Sequence, residues 1–399
     1  MVSVAGDPNA RFRARRAAAA QRRRRQRGIL VLLLAVAGGG IVLGAQAMSE
    51  GGSGSPERND AAARAESRPR RAAPAPPQPR SAPREIRGVH VTAPLASLPG
   101  RIDEYLSMPG LNTIELDIKD ENGEVGFLYG APPLSRTIGA AKAYYRPRQV
   151  VAKTRRKGVY LIGRLVVFQD PVLAEARPQL AITTADGSVW RTSAGHAWVN
   201  PYDKRVWAYN VAVAKAAAKA GFDEIQFDYV RFPSDGDVSS AVFGGQRKGA
   251  NGWVIAAFVQ YAANRLRPLG VRISVDVFGL SATRDLGVAQ VPRRLARYVD
   301  AIYPMVYPSH YNSGEHGLDD PSASPGLTVA RSLRDFRRAL RGRKAKLIPW
   351  LEDFSLGRTR TPAEVQEQIE AARRSGAEGF LLWNPLGEYT DSALRYGQG

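Results

Sequence analysis

Eight short runs rich in β-branched residues recur between Glu85 and the C-terminus, and stretches with helical spacing separate them. The runs are Ile86–Ala93, Asn112–Lys119, Val159–Phe168, Asp223–Phe232, Arg272–Gly279, Ala301–Tyr307, Lys346–Phe354 and Gly379–Asn384. The clearest helical stretch, Asp203–Ala220, repeats apolar residues at helical spacing and stops at Gly221. Another, Pro362–Ser375, follows Thr361 with Glu364 three residues on, a capping box. Strands that alternate with helices are parallel and joined by crossovers. Eight such units close most simply as a (β/α)8 TIM barrel, whose usual size of roughly 250 residues or more fits the stretch available.

The parity of side chains within the runs supports a barrel independently. The second run sets Ile114, Leu116 and Ile118 against Glu115, Asp117 and Lys119. The fourth sets Ile225, Phe227 and Tyr229 against Gln226 and Asp228, and the fifth Ile273, Val275 and Val277 against Ser274 and Asp276. The apolar set faces the helices, and the polar set points into the barrel mouth, where this fold keeps its active sites.

The 399 residues are 44% apolar and 24% charged, as expected of a globular domain with something appended. Cysteine is absent, which excludes disulfides, thiolate metal sites and cysteine nucleophiles. Of the net charge of +20, residues 1–84 supply more than half, with 16 Lys+Arg against 5 Asp+Glu. Their arginines cluster in a basic tail, residues 1–27, ahead of the uncharged run Gly28–Met48. That arrangement is the positive-inside pattern of a membrane segment, so nucleic acid is not the expected partner. Twenty-one residues in a helix reach roughly 30 Å, enough to cross a hydrocarbon core. The run either stays as a signal anchor or is cleaved after Ala45-Gln46-Ala47, which would release the protein. The long basic region favours the anchor. Residues 49–84, rich in Pro, Ala, Arg and Ser, read as a disordered tether, and 85–399 as the barrel held outside the cytoplasm. The remaining positive charge lies mostly on helix faces such as Arg331, Arg334, Arg337, Arg338 and Arg341, where a solvated face is the expectation.

The strongest local signal is Gly221-Phe-Asp-Glu-Ile-Gln-Phe-Asp-Tyr-Val-Arg-Phe-Pro233, the fourth strand running into its loop. A carboxylate at the end of such a strand, here Asp228, suits glycosidic-bond cleavage, which needs one carboxyl to protonate the leaving oxygen and one at the anomeric carbon. Arg231, three residues on, is placed to keep Asp228 ionised.

Together with Trp198–Asn210 (WVNPYDKRVWAYN) and IRGVHVTA of the first strand, this motif resembles a bacterial family of glycoside-hydrolase TIM barrels, mostly uncharacterised, within the glycosidase barrel superfamily. The resemblance covers essentially Glu85 to the C-terminal region. A more distant likeness is to chitinases, whose fourth strand reads F-D-G-x-D-x-D-x-E. Phe222, Asp223 and Asp228 match that pattern, but Gln226 replaces its first acidic Asp in D-x-D-x-E and Val230 its catalytic Glu. Substrate-assisted chitinase chemistry is therefore not expected. Asp228 as nucleophile resembles the amylase-like plan, with the acid on a later strand.

That acid is Glu352 or Asp276. If Trp350 faces inward so does Glu352, and a carboxyl beside Trp350 and Phe354 should be desolvated and its pKa raised. Glu115 and Asp117 are weaker candidates. In the alternative reading these acids form a charged lattice with Lys119, Arg164 and Arg231. Substrate contacts are expected from His90, Glu115, Asp117, Arg164, Gln226, Arg231, Tyr303, Tyr307, Trp350 and Trp383. Tyr144, Tyr145, Trp190, Trp198 and Tyr202 complete the loop and strand-end aromatics, of which only a minority should line a groove. The four histidines lack metal-ligand spacing, and no nucleotide or phosphate loop is present, so neither metal nor cofactor is expected. Loops Asp170–Tyr202 and Ser234–Gly252 sit on the presumed active face, the second Gly- and Ser-rich and expected to be mobile. The reading is an exported glycoside hydrolase acting on an envelope or extracellular polysaccharide. The alternative is an inactive carbohydrate-binding barrel tethered to the envelope.

Overall fold

A computed structural model describes residues 78–245 and 251–395. Eight parallel strands close on themselves. They are Ile86–Val91, Thr113–Lys119, Tyr160–Val166, Glu224–Asp228, Arg272–Phe278, Ala301–Val306, a seventh in two pieces (Lys346–Leu347 and Trp350–Glu352) and Gly379–Trp383. Each pairs with the next, and the eighth pairs with the first through Ile86 and Gly379. The seventh is interrupted at Pro349, which has no N–H to give a ladder. Its carbonyl still accepts from Leu381 N at 3.0 Å. At the closing seam Gly379 has φ 131, and a Cβ there would lie 2.2 Å from Ile86 O, so no other residue fits.

The helices begin and end where their chemistry requires. Lys204–Ala220 is capped by the Asp203 carboxylate on Arg205 N (2.7 Å) and closed by Gly221 at φ 108. Pro362–Arg374 carries the full Thr361/Glu364 capping box. Strand residues of the apolar parity, among them Ile114, Leu116, Phe227, Ile273 and Val275, are wholly buried against these helices. Inside the barrel Ile86, Tyr160, Ile162, Tyr303, Ile348 and Leu381 form a second core. Glu224 lies at its centre and accepts from the Tyr160 and Tyr303 hydroxyls at 3.0 and 3.1 Å.

Lys119 departs from the expected parity. The ladder shifts register between Asp117 and Lys119. This turns the ammonium outward, to Asp170 (2.6 Å) and to Asn210 (2.8 Å) on the helix behind. It therefore takes no part in the charged interior.

The strand N-terminal ends form one face of the barrel. There Arg80 donates to Gly158 O, Val159 O and Asp223 Oδ2, each near 3 Å, and Ala82 packs against the inner core. The last residues of the expected tether are thus fastened to the barrel. At the opposite end the excursion after strand three is ordered, with a helix at Pro171–Ala176. It exchanges backbone hydrogen bonds with the loop after strand four between Thr183 and Val242 (3.2 and 2.7 Å). Residues 246–250 of that loop, the basic tail, Gly28–Met48 and tether residues 49–77 lie outside the described residues. Among the described residues no helix is long and apolar enough to cross a membrane.

Candidate active site

Every strand sends at least one polar or aromatic side chain toward the interior or the mouth. His90 comes from the first, Glu115 and Asp117 from the second, Arg164 from the third, and Gln226 and Asp228 from the fourth. Asp276 comes from the fifth, Tyr303 and Tyr307 from the sixth and the turn after it, Trp350 from the seventh and Trp383 from the eighth.

Asp228 is anchored through both carboxyl oxygens. Its Oδ2 accepts from Arg164 Nε (3.0 Å) and Nη2 (2.7 Å), and its Oδ1 accepts from the N–H of Tyr229 at 2.6 Å. Tyr229 reaches that position with φ 48, a left-handed conformation that a bulky residue holds only at a cost. The guanidinium that holds Asp228 is therefore Arg164, from the neighbouring strand, and not Arg231. Arg231 instead donates to Phe232 O (3.0 Å) and lies over the rings of Trp198, Tyr229 and Phe278 at 4.7–5.1 Å. The rest of Arg164 is used by Asp117, which accepts from Nη1 at 2.7 Å.

Asp276 stands in the opposite electrostatic setting. Burial, then the charges of Asp228 and Glu115, push its carboxyl well above the usual range, which favours the protonated form. Trp350 Nε1 (2.7 Å) and Gln226 Nε2 both donate to Oδ1. Oδ2 makes no hydrogen bond among the described residues, which leaves it to carry the proton. Strands four and five are in register at Phe227 and Val275, so Asp228 and Asp276 are the next pair in line. Adjacent strands stand roughly 4.8 Å apart.

His90 binds Glu115 through Nδ1, faces Asp117 Oδ2 at 3.5 Å and lies 4.6 Å from the Trp383 ring. Burial alone would lower its pKa, but Asp117 and Glu115 outweigh it and lift the value to about 9. Burial raises Glu115 above the carboxylate range. Burial also acts to raise Asp117, yet His90 and Arg164 bring it below that range. His90 is thus a buried cation between two acids.

An expected substrate contact, Tyr303, and an expected acid, Glu352, are engaged elsewhere. Tyr303 has the inward parity and pairs with Asp276 in register, but it is fully buried with its hydroxyl on Glu224. Glu352 also has the expected parity, but its carboxylate is taken up by Arg360 (2.8 Å) and by Ser309 N (2.8 Å). Of the aromatics, Trp190, Trp198 and Tyr145 are packed in the core, while Tyr307 and Trp383 stay partly exposed at the rim. Arg360 and Glu224 escaped the sequence reading. Arg360 lies in an irregular loop with no motif around it, and Glu224 was visible only as one acid in an acid-bearing strand. Among the described residues no group of three or more acids and histidines is arranged to hold a metal ion.

A family model described as "Putative glycosyl hydrolase domain" matches residues 88–389. No curated protein matches the chain. Among solved structures the chain is similar to the PgaB (BpsB) glycoside hydrolase domain from Bordetella bronchiseptica, at 13% identity and a TM-score of 0.56, over 78% of this chain and 98% of that one. It is also similar to the endo-β-1,4-mannanase from Thermotoga petrophila, at 12% identity and a TM-score of 0.52, over 78% and 75%. A hypothetical protein from Ruminiclostridium thermocellum ATCC 27405 is 36% identical over 47% of this chain and 97% of its own, with a TM-score of 0.43. The likeness to the first two is one of fold.

Proposed function

The chain belongs to this family of glycosyl hydrolase domains, and from that premise we propose that it cleaves O-glycosidic bonds in an envelope or extracellular polysaccharide, with Asp228 as nucleophile and Asp276 as acid/base. The observation that carries the assignment is the contrast between two carboxyls on adjacent strands, one gripped by the Arg164 guanidinium and the other with its pKa raised by burial. Unlike settings of this kind are what separate acid from nucleophile.

Asp276 Oδ2–H protonates the leaving glycosidic oxygen while Asp228 attacks the anomeric carbon, giving a glycosyl ester on Asp228. Water, deprotonated by Asp276, then hydrolyses the ester and returns both groups to their starting states. A covalent glycosyl intermediate on Asp228 makes the reaction retaining, so the product keeps its anomeric configuration. Glu352, bonded to Arg360, is not required as the acid. Tyr307 and Trp383 supply rim platforms for the sugar, and His90, Glu115, Asp117 and Gln226 the polar floor. No metal or cofactor takes part in this scheme. Asp228→Asn and Asp276→Asn should each remove hydrolysis of envelope polysaccharide while leaving the fold intact. Full turnover by Asp228→Asn overturns the assignment.

A second reading, a barrel that binds glycan without cleaving it, draws on the burial of the pair: Asp228 is 5% and Asp276 1% exposed. Glycan retained with no cleavage by the unaltered chain would favour it.

The location follows the same proposal. Residues 1–27 remain in the cytoplasm, residues 28–48 cross the membrane as a signal anchor, and residues 49–84 tether a barrel domain, residues 85–399, outside. Cleavage after Ala47 would make the protein secreted. Reaction of the barrel with a membrane-impermeant reagent on whole cells checks the placement.

A further inference from the structure

Arg334, Arg337, Arg338 and Arg341 lie at i, i+3, i+4 and i+7 on the helix Pro325–Ala339 and its C-terminal turn, so they share one face. With Ser375 they line a groove of about 500 Å³ whose lining includes no acidic side chain among the described residues. Like charges at this spacing repel and weaken a helix. Among the described residues, Asp335 reaches Arg338 only at 3.8 Å. Arg337 is fastened across the groove to the carbonyls of Ser375 and Gly376, at 2.5 and 2.9 Å. The patch extends through Arg293, which donates to Arg341 O (2.7 Å), and Arg343, which donates to Arg293 O (3.1 Å). Burial and the neighbouring Arg293 and Arg297 hold Arg343 below the usual guanidinium range, a sign of crowded positive charge.

The groove lies at the strand N-terminal ends. Ser375 and Gly376 lie a few residues before strand eight, and Arg341 and Arg343 precede strand seven. Arg80, which anchors the incoming chain, is bonded at that same end, to the residues that precede strands three and four. The 77 residues ahead of the described ones include the apolar run Gly28–Met48. Charge and chain entry therefore coincide on the face opposite the mouth.

We propose that this arginine face is a docking surface for an anionic phospholipid bilayer, with headgroup phosphates in the Arg334–Arg341 groove. It rests in part on the membrane-tether reading and not on the catalytic one. Attraction between a polybasic face and an anionic surface is additive in its basic residues and decays over a Debye length, so salt should dissolve it.

The chain has no cysteine, so Ser375→Cys gives the full-length protein a unique site for an environment-sensitive fluorophore. The labelled protein is placed in nanodiscs of phosphatidylcholine alone, or of phosphatidylcholine with phosphatidylglycerol. The expected result is a blue shift in the anionic discs alone, lost in high salt and lost in Arg334→Glu/Arg338→Glu/Arg341→Glu. Equal emission in both discs, or a shift that survives charge reversal, overturns the proposal. If the chain does not embed in either disc, the tether reading fails by itself. The labelled full chain is then mixed with anionic vesicles, where a salt-sensitive shift abolished by the triple variant sustains the docking face and its absence rejects it. These arginines are exposed, and an unchanged thermal melt of the triple variant excludes misfolding as the cause.

Discussion

The indole N–H of Trp350 donates to Asp276 Oδ1 at 2.7 Å, across the barrel from strand seven to strand five. The bond favours the ionised carboxylate and so restrains a pKa that burial drives upward.

Trp350→Phe removes that restraint while keeping most of the ring. The carboxyl should then hold its proton to higher pH. The alkaline limb of the kcat/KM profile, which reports loss of the acid, should move up, and kcat should fall because Oδ2 is no longer aimed. A profile whose alkaline limb stays in place would remove Asp276 from the role of acid.

His90 gives the fold a pH dependence of its own. Its pKa is about 9 in the folded chain against 6.5 as the ordinary value. A base whose pKa rises on folding contributes stability that is complete below the ordinary value and is lost as pH climbs through the folded one. Thermal stability should therefore decline between pH 6.5 and about 9. His90→Gln should be less stable at low pH and flatter across that window, as melting curves at stepped pH will read.

Glu352 and Arg360 are both about 1% exposed and bonded to each other. Removing one member of a buried ion pair costs roughly 3–5 kcal/mol because the other charge is stranded. Arg360→Ala should lower the denaturation midpoint accordingly, yet the folded fraction should retain its turnover. A loss of turnover without loss of stability would return Glu352 to the chemistry.

At Tyr229 the usual ranking of small residues should invert. Alanine normally exceeds glycine in stability, but a left-handed φ costs any residue with a Cβ about 1–2 kcal/mol. Both variants lose the same ring, so Tyr229→Gly should be more stable than Tyr229→Ala by about 1 kcal/mol. Denaturant titration of the pair measures it.

The strands and their inward parity were legible because period-two alternation is a local property, repeated eight times with the same outcome. It located Asp228 and Asp276. Two kinds of fact were not local. Arg231 is three residues from Asp228, and sequence proximity made it the obvious partner, but the turn at Tyr229 sends it among aromatic rings. Arg164 holds Asp228 instead because parallel register sets Val166 beside Asp228, a relationship between residues far apart in the chain. Glu352 likewise had the right parity, but its neutralising partner sits in an irregular loop that no pattern announces. Lys119 was misplaced by one ladder shift, and a slip of one residue exchanges inside for outside.

The seam where Ile86 meets Gly379 has a temporal meaning. Its two strands are roughly 290 residues apart, and such distant pairings form late. Until the final strand has arrived, strand one has an open edge and the interior acids lack a complete wall. The barrel thus stays unclosed until the eighth strand is in place. Closure, and with it any catalytic competence, then waits on Gly379.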